Sequence, residues 1–489
     1  MIAPAPAFAA CSISGSGYEI TAQNSTVNLD TDCTGASTNA ATVTGDVDGV
    51  GNSGINDAPG GAGNWSVTIN NGVTVSGSDG MLFESAGASV DNSGTVASTD
   101  AEGIQITASG GVVTNRASGA INARKDGVEF DGASGTVNNY GDITSADDNG
   151  VTMRDGGTVT NFATGTISGD FDGVHIRGGT GIVTNSGQIT GDSDESGVQL
   201  DMGGTVTNNA GGTITGDAEG INIDGAPGEV INSGTITGAT NFGVIMRDGG
   251  SVTNHAGGLI KGDNGLAGVS IRGGTGTIDN AGILRGNDDE GVELTAGGTI
   301  INRAGGLIEG EADEAIQISG GAGSVTNAGR IESINGGPTV LFDGFDDRFE
   351  IQPGSSVTNA TTFPNAVNPG IVQAAGGTDT LAFGGTGTQT FDISTVDGNN
   401  TDNGEQYLNF ETFVKEDASI FNFTGTNTEI GAFAVNGGLL NVNGNMGSTA
   451  FSVNGGTLGG SGTVGGTAIT GGTVAPGNSI GTLTVNGAL

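Results

Sequence analysis

The stretch Gly173-Val-His-Ile-Arg-Gly-Gly-Thr-Gly-Ile-Val-Thr-Asn-Ser-Gly-Gln-Ile-Thr-Gly191 decides the fold. It holds three short apolar phrases separated by glycine-rich corners. Gly173-Val-His-Ile reads as one strand, Ile182-Val-Thr-Asn as a second and Gln188-Ile-Thr-Gly as a third. Alternation sets Val174 and Ile176 on one face and His175 on the other. The phrase that ends in Asn185 recurs along the chain. Its asparagines are Asn92, Asn115, Asn139, Asn161, Asn185, Asn208, Asn232, Asn254, Asn280, Asn302 and Asn327, with gaps of 23, 24, 22, 24, 23, 24, 22, 26, 22 and 25 residues. A repeat of this length, built from β phrases and Gly corners, specifies a solenoid whose coils bury their apolar faces only against their neighbours. The sequence therefore predicts an all-β parallel β-helix of about 23 residues per coil, with three short strands in each.

Stacking the coils puts Ile104, Val128, Val151, Val174, Val198, Ile221, Val244, Val269, Val292 and Ile316 in one inward column. β-Branched residues fill such a narrow core without aromatics. The asparagines are expected to form an amide ladder at a bend, satisfying backbone that faces inward. Corners after the Asn alternate between x-Gly and x-Ala-x-Gly, so a two-coil unit has been copied. Longer copies are visible as well. Val151-Thr-Met-Arg-Asp-Gly-Gly returns as Val244-Ile-Met-Arg-Asp-Gly-Gly, and Gly173-Val-His-Ile-Arg-Gly-Gly-Thr-Gly returns as Gly268-Val-Ser-Ile-Arg-Gly-Gly-Thr-Gly. Growth by duplication favours a rod whose length matters.

Composition narrows the class. The chain has 489 residues, 98 of them Gly, yet Val, Ile and Leu fall in phase, unlike a disordered Gly-rich chain. With 13 basic and 53 acidic residues the net charge is -40, which argues against nucleic acid and anionic lipid surfaces as partners. No apolar run is long enough for a membrane helix, and no series of long alternating strands with aromatic girdles marks an outer-membrane barrel. Residues 1–10, MIAPAPAFAA, read as the remnant of a secretory signal with a small-residue cleavage site at Ala7-Phe-Ala9. Cys11 and Cys33 follow at once and read as a disulfide formed in an oxidising compartment. A lipidated Cys11 is the alternative; Phe8 stands where an aliphatic residue is expected, and Cys33 would be left unpaired.

From about residue 346 the Asn phrase fades. Tyr407-x2-Phe410-Glu-Thr-Phe-Val-Lys-Glu-Asp417 and the segment Gly455 to Gly487, with its phrase Thr473-Val-Ala-Pro-Gly-Asn-Ser-Ile-Gly-Thr-Leu-Thr-Val485, resemble the passenger domains of type V autotransporters of Gram-negative bacteria. Gly455 to Gly487 looks like the passenger-associated transport repeat. The resemblance covers 376–489 closely and 80–345 only generically. It implies a right-handed helix, export through the periplasm and outer membrane, and display outside the cell. That family's chains continue into a C-terminal barrel, so these 489 residues read as a passenger without its translocator, and any contact with the outer membrane would run through a barrel this chain lacks. The expected organisation is a signal remnant (1–10), an N-terminal cap with the first coils (11–79), regular coils (80–345), an irregular continuation (346–429) and a stable C-terminal repeat (430–489).

Acidic residues recur at one corner, among them Asp148, Asp170, Asp172, Asp192, Asp194, Asp217, Glu219, Asp288, Asp289 and Asp313. Coils lie ~4.8 Å apart, so these residues form a ridge. It reads either as solvated turn formers that favour solubility or as a row of weak Ca²⁺ sites. The GGxGxD pattern of tight calcium β-rolls is missing, so no tight metal and no other cofactor is expected. A mixed column (Asp131, Arg154, Arg177, Asp201, Asp224, Arg247, Arg272) predicts the pairs Asp131 with Arg154, Arg177 with Asp201, and Asp224 with Arg247. His175 and His255 read as surface residues. Gly191-Asp-Ser-Asp lacks the glycine of a serine-protease motif, and no repeated base accompanies the carboxylates as a polysaccharide lyase requires. The resulting expectation is a secreted, non-enzymatic structural and adhesive rod. Its partners would be host or bacterial surface glycans or proteins, or further copies of itself. A β-helix enzyme acting on polysaccharide and a self-assembling filament subunit are the alternatives.

Overall fold

The structure, a computed structural model, describes residues 11–489 except 58, 60, 62, 86, 109, 265, 335–336, 361–366, 399–403 and 478–480. The signal-like segment 1–10 and part of the 473–485 phrase therefore lie outside the described residues. The chain is an all-β parallel β-solenoid of about 19 turns, each of about 24 residues. It forms two compact units, Met1–Asp248 and Gly249–Leu489.

In the first unit three parallel sheets run coil upon coil. The first sheet is made of strands such as Val151–Met153, Val174–Ile176 and Val198–Leu200. The second holds the asparagines, as in Gly157–Asn161 and Gly181–Asn185, and the third contains Thr166–Gly169 and Gln188–Gly191. Register follows the repeat: Val174 faces Val151 and Val198, and Asn185 faces Asn161 and Asn208. The inward column from Ile104 to Val244 is fully buried, as are Val269, Val292 and Ile316 in the second unit. Pairing in register matters because a slip of one residue would turn every Val and Ile of a strand outward.

The asparagines do more than line up. Asn92 Nδ2 donates to Asn115 Oδ1 at 2.8 Å, and the chain of amides continues through Asn139, Asn161, Asn185 and Asn208 to Asn232 at 2.9–3.0 Å. In the second unit Asn254, Asn280, Asn302 and Asn327 repeat it. Corner length sets the second bond of each side chain. At short corners Oδ1 accepts the N–H two residues on, as from Gly187 to Asn185. At long corners Nδ2 donates to the carbonyl four residues on, as from Asn161 to Gly165. Each amide thus closes its own corner and joins the next coil. The alternating corners seen in the sequence are two ways of satisfying one side chain.

At the N-terminal side of the first unit, Cys11–Ser14 pairs antiparallel with Gly17–Ile20. Cys11 and Cys33 are disulfide-bonded with their Cα atoms 5.2 Å apart. The short helix Leu29–Asp32 is N-capped by Asn28, and Asp30 accepts a bond from the buried Trp65 indole. The hairpin thus covers an edge that would otherwise offer unpaired backbone.

In the second unit the core changes character. Phe349, Phe383, Phe391, Phe421, Phe423, Phe433 and Phe451 are buried, and Phe383 packs against Phe391, Phe421, Phe423 and Phe433 with ring centroids 4.9–5.9 Å apart. Coils shorten here. Asn454 bonds Asn436 only 18 residues earlier. The phrase Tyr407 to Asp417 supplies buried Tyr407, Phe410 and Phe413 to this core, whereas Ile469 is 47% exposed. The aromatic mass therefore sits before Gly455, ahead of the segment that resembles the transport repeat.

Two outcomes follow from this packing. Asn185→Ala strands the amide groups of Asn161 and Asn208 in a buried column and should cost about 1–3 kcal/mol in urea unfolding, against under about 0.5 kcal/mol for the surface control Asn209→Ala. Equal costs would show that the ladder contributes nothing specific. Under limited proteolysis in rising urea, the last surviving fragment should contain residues 383–451, because its clustered rings make the largest contacts in the core. Survival of a fragment from 80–345 beyond it would overturn that order.

Candidate functional site

The outward face of the first sheet in the first unit carries three adjacent polar columns. Each coil contributes one residue before the strand, one in its middle and one after it. The leading column reads Asp126, Asn149, Asp172, Ser196, Glu219; the middle column Glu129, Thr152, His175, Gln199; and the trailing column Asp131, Arg154, Arg177, Asp201. From these columns Asp126, Asn149, Thr152, Arg154, Asp172, His175 and Arg177 line a groove, together with Asp148, Glu195 and Phe171, which is 43% exposed at the rim.

Hydrogen bonds fix the floor. Asp126 Oδ1 accepts from Thr152 Oγ1 at 2.6 Å and from Asn149 Nδ2 at 3.3 Å. Asn149 Oδ1 in turn accepts the Asp172 N–H, and Asp172 Oδ1 accepts the Ser196 N–H at 3.0 Å. The His175 imidazole bridges two carboxylates: Nδ1 lies 3.3 Å from Asp172 Oδ2 and Nε2 3.0 Å from Asp201 Oδ2. Arg154 pairs with buried Glu129 and lies 3.9 Å from Asp131. Burial pushes Asp126 and Asp172 up to about 7, an effect that His175 opposes at Asp172. The groove thus holds two carboxyl groups poised near neutrality, an imidazole and two guanidinium groups.

This arrangement revises several sequence expectations. Asp201 is held by His175 and Gln199, not by Arg177. His175 is outward-facing as read, but it is half-buried and engaged by two carboxylates rather than free at the surface. The acidic ridge splits by depth. Asp172 and Glu219 are buried, Asp148, Asp170, Asp217 and Asp289 are half-buried, and Asp192, Asp194, Asp288 and Asp313 are exposed. Asp170 accepts from Ser193 Oγ and Asp217 from the Asp194 N–H, so part of the ridge serves as turn structure. Asp289 and Asp313 are brought together with Glu290, their carboxylate oxygens within 4.8 Å. Burial, with Asp289 beside it, pushes Glu290 up to about 9. A second such group, Glu102, Asp126 and Glu129, borders the groove, and a third is Glu350, Glu416 and Asp417. The third faces Arg348 and the buried Lys415, whose amine burial lowers to about 8.

Comparisons with protein-family models, with curated proteins and with solved structures give no significant match. The site rests on its own geometry.

Carboxyl groups raised by folding bind more protons in the folded state than in the unfolded one between about pH 4 and pH 7. Their contribution is complete below that window and is lost as pH rises through it. In chelator, the free energy of unfolding should therefore fall by on the order of 2–4 kcal/mol from pH 5 to pH 8. The double variant Asp126→Asn/Asp172→Asn should shrink the slope. A urea midpoint that is flat or rises with pH would contradict the buried, proton-holding assignment.

Proposed function

We propose that the chain is the passenger part of an autotransporter-type protein, displayed outside a Gram-negative cell as a structural and adhesive, non-enzymatic β-solenoid. The observation that carries this reading is the outward repetition. Each coil adds the same kind of short polar side chain to flat parallel sheets: Asn138, Thr160, Thr184 and Thr207 face one another in the second sheet, and Thr144, Ser168, Thr190, Thr215 and Thr237 in the third. Such a surface grows with coil number and contacts its partner by many weak bonds at once. The duplicated coils and the C-terminal resemblance support the same reading. The partners are surface glycans or proteins, or other copies of the chain, and any calcium bound along the acidic ridge is weak.

A second reading is hydrolysis of a polysaccharide in the groove. Asp126 and Asp172 stand two coils apart in one column, or roughly 9–10 Å at ~4.8 Å per coil, near the separation of inverting glycosidases. His175 and the two arginines lie alongside.

One experiment separates them. Beads coated with the full chain are scored for aggregation and for binding to bacterial cells and glycans, beside a version that lacks one two-coil unit, residues 140–185. The adhesive reading expects binding that weakens with the deletion while the circular-dichroism spectrum stays β-rich, and no new reducing ends from polysaccharide. Absence of binding, together with reducing ends that Asp172→Asn abolishes, would replace it with the enzymatic reading.

A further inference from the structure

At one corner of the second unit, carboxylates stand where the preceding coils carry Gly276, Gly298 and Gly323. Three consecutive coils place Asp347, Asp379 and Glu411 immediately before or beside the start of a second-sheet strand. Each uses one oxygen to take the backbone N–H of the coil before it. Asp347 Oδ1 accepts from Gly323 at 2.6 Å, Asp379 Oδ1 from Asp347 at 2.7 Å and Glu411 Oε2 from Asp379 at 2.8 Å. Asp343 and Asp346 close the same corner, their carboxylates accepting from Gly320 and Thr378.

The other oxygens are the anomaly. Asp347 and Asp379 are 2% and 0% exposed, and the Oδ2 atom of each is buried without a hydrogen-bond partner. Among the described residues no Lys, Arg or His forms an ion pair with either. Other buried carboxylates have side-chain partners: Arg154 at Glu129, Arg285 at Glu309, and Thr152 with Asn149 at Asp126. Here two buried, like-charged groups sit one coil apart with Asp343, Asp346 and Glu411 adding to the same field. An unpaired buried carboxylate is among the costliest groups a fold can hold. Hard, buried oxygen donors of this kind suit a divalent cation such as Ca²⁺.

We propose that this corner is a divalent-cation site, with Asp347 Oδ2 and Asp379 Oδ2 as its inner ligands and Asp343 and Asp346 supplying surrounding negative charge. The bound ion replaces the missing side-chain cation and locks the coil that starts at Arg348 to the one that starts at Thr380. The site is separate from the ridge residues Asp288, Asp289 and Asp313, and it holds whether or not the solenoid is adhesive.

The test uses the full chain stripped with chelator and titrated with CaCl₂ at pH 8 and constant ionic strength. The melting temperature should rise saturably, by about 2–4 °C at tenfold excess over the dissociation constant. Asp347→Asn/Asp379→Asn should lose the rise and melt above the wild type in chelator, because the like charges are gone. Asp289→Asn/Asp313→Asn should keep it. Should the double variant fail to fold, Asp379→Asn alone is compared by equilibrium dialysis and should bind one Ca²⁺ fewer per chain. A wild type indifferent to Ca²⁺, or a variant that binds like the wild type, overturns the site.

Discussion

Everything regular in this chain depends on one buried amide per coil. A solenoid corner turns the backbone inward, away from water, and leaves N–H and C=O groups that no strand can pair. The Asn side chain has two donors and an acceptor on one short arm. It can therefore finish its own corner and still reach the next coil. Because the neighbouring Asn does the same, the amides of Asn92 through Asn232 polarise one another in a continuous chain. Gln would need a longer arm held straight, and Asp could accept but not donate. The ladder also fixes register. A coil displaced by one residue would lose its amide partner and bury polar atoms at the same moment that its valines turn outward.

The second constraint is charge. A stack with ~4.8 Å between coils turns any repeated carboxylate into a column of like charges. The chain has 53 acidic and 13 basic residues, so most of its carboxylates go without a cation. Exposed positions such as Asp192 and Asp194 leave the problem to solvent. Buried positions draw on the few arginines, on His175, on Thr and Asn donors, or on backbone N–H groups. Asp347 and Asp379 have only the last, and only for one oxygen each. The groove and the acidic corner are thus two outcomes of one shortage, resolved by His and Arg in the first case and left open for a soluble ion in the second.

The sequence made the coil legible because its signals are local and periodic. The Asn spacing and the Val and Ile column needed no knowledge of the fold beyond stacking. The disulfide was readable from the cysteine count, two in 489 residues and close together in the sequence. The groove was not, because its members come from separate coils at three different strand positions. Reading down one column pairs Arg177 with Asp201, yet the imidazole of His175, two residues before Arg177, reaches Asp201 diagonally. Depth was hidden as well. Asp172 and Asp170 look alike in a string, but only Asp172 precedes the Gly that tucks the chain against the first sheet, and only it is buried. Aligning coils on that Gly would have set Asp126, Asn149, Asp172, Ser196 and Glu219 in one polar column, which was the available signal.

The core changes within the second unit where the corner amide ends. In register with Asn327 the following coils carry Ile351, Phe383, Lys415, Val435 and Val453. Coil length becomes irregular at the same point, 32 residues from Ile351 to Phe383 and again to Lys415, then 20 to Val435 and 18 to Val453. With no amide at the bend, the interior is left to be filled by volume. Phenylalanine does that, and Phe383 meets four other rings at tilted or edge-on angles. Rings contribute more per residue than the β-branched column, while the Asn ladder contributes direction and register. One region is therefore built for copying and the other for stability, and duplication has extended only the part whose coils template one another.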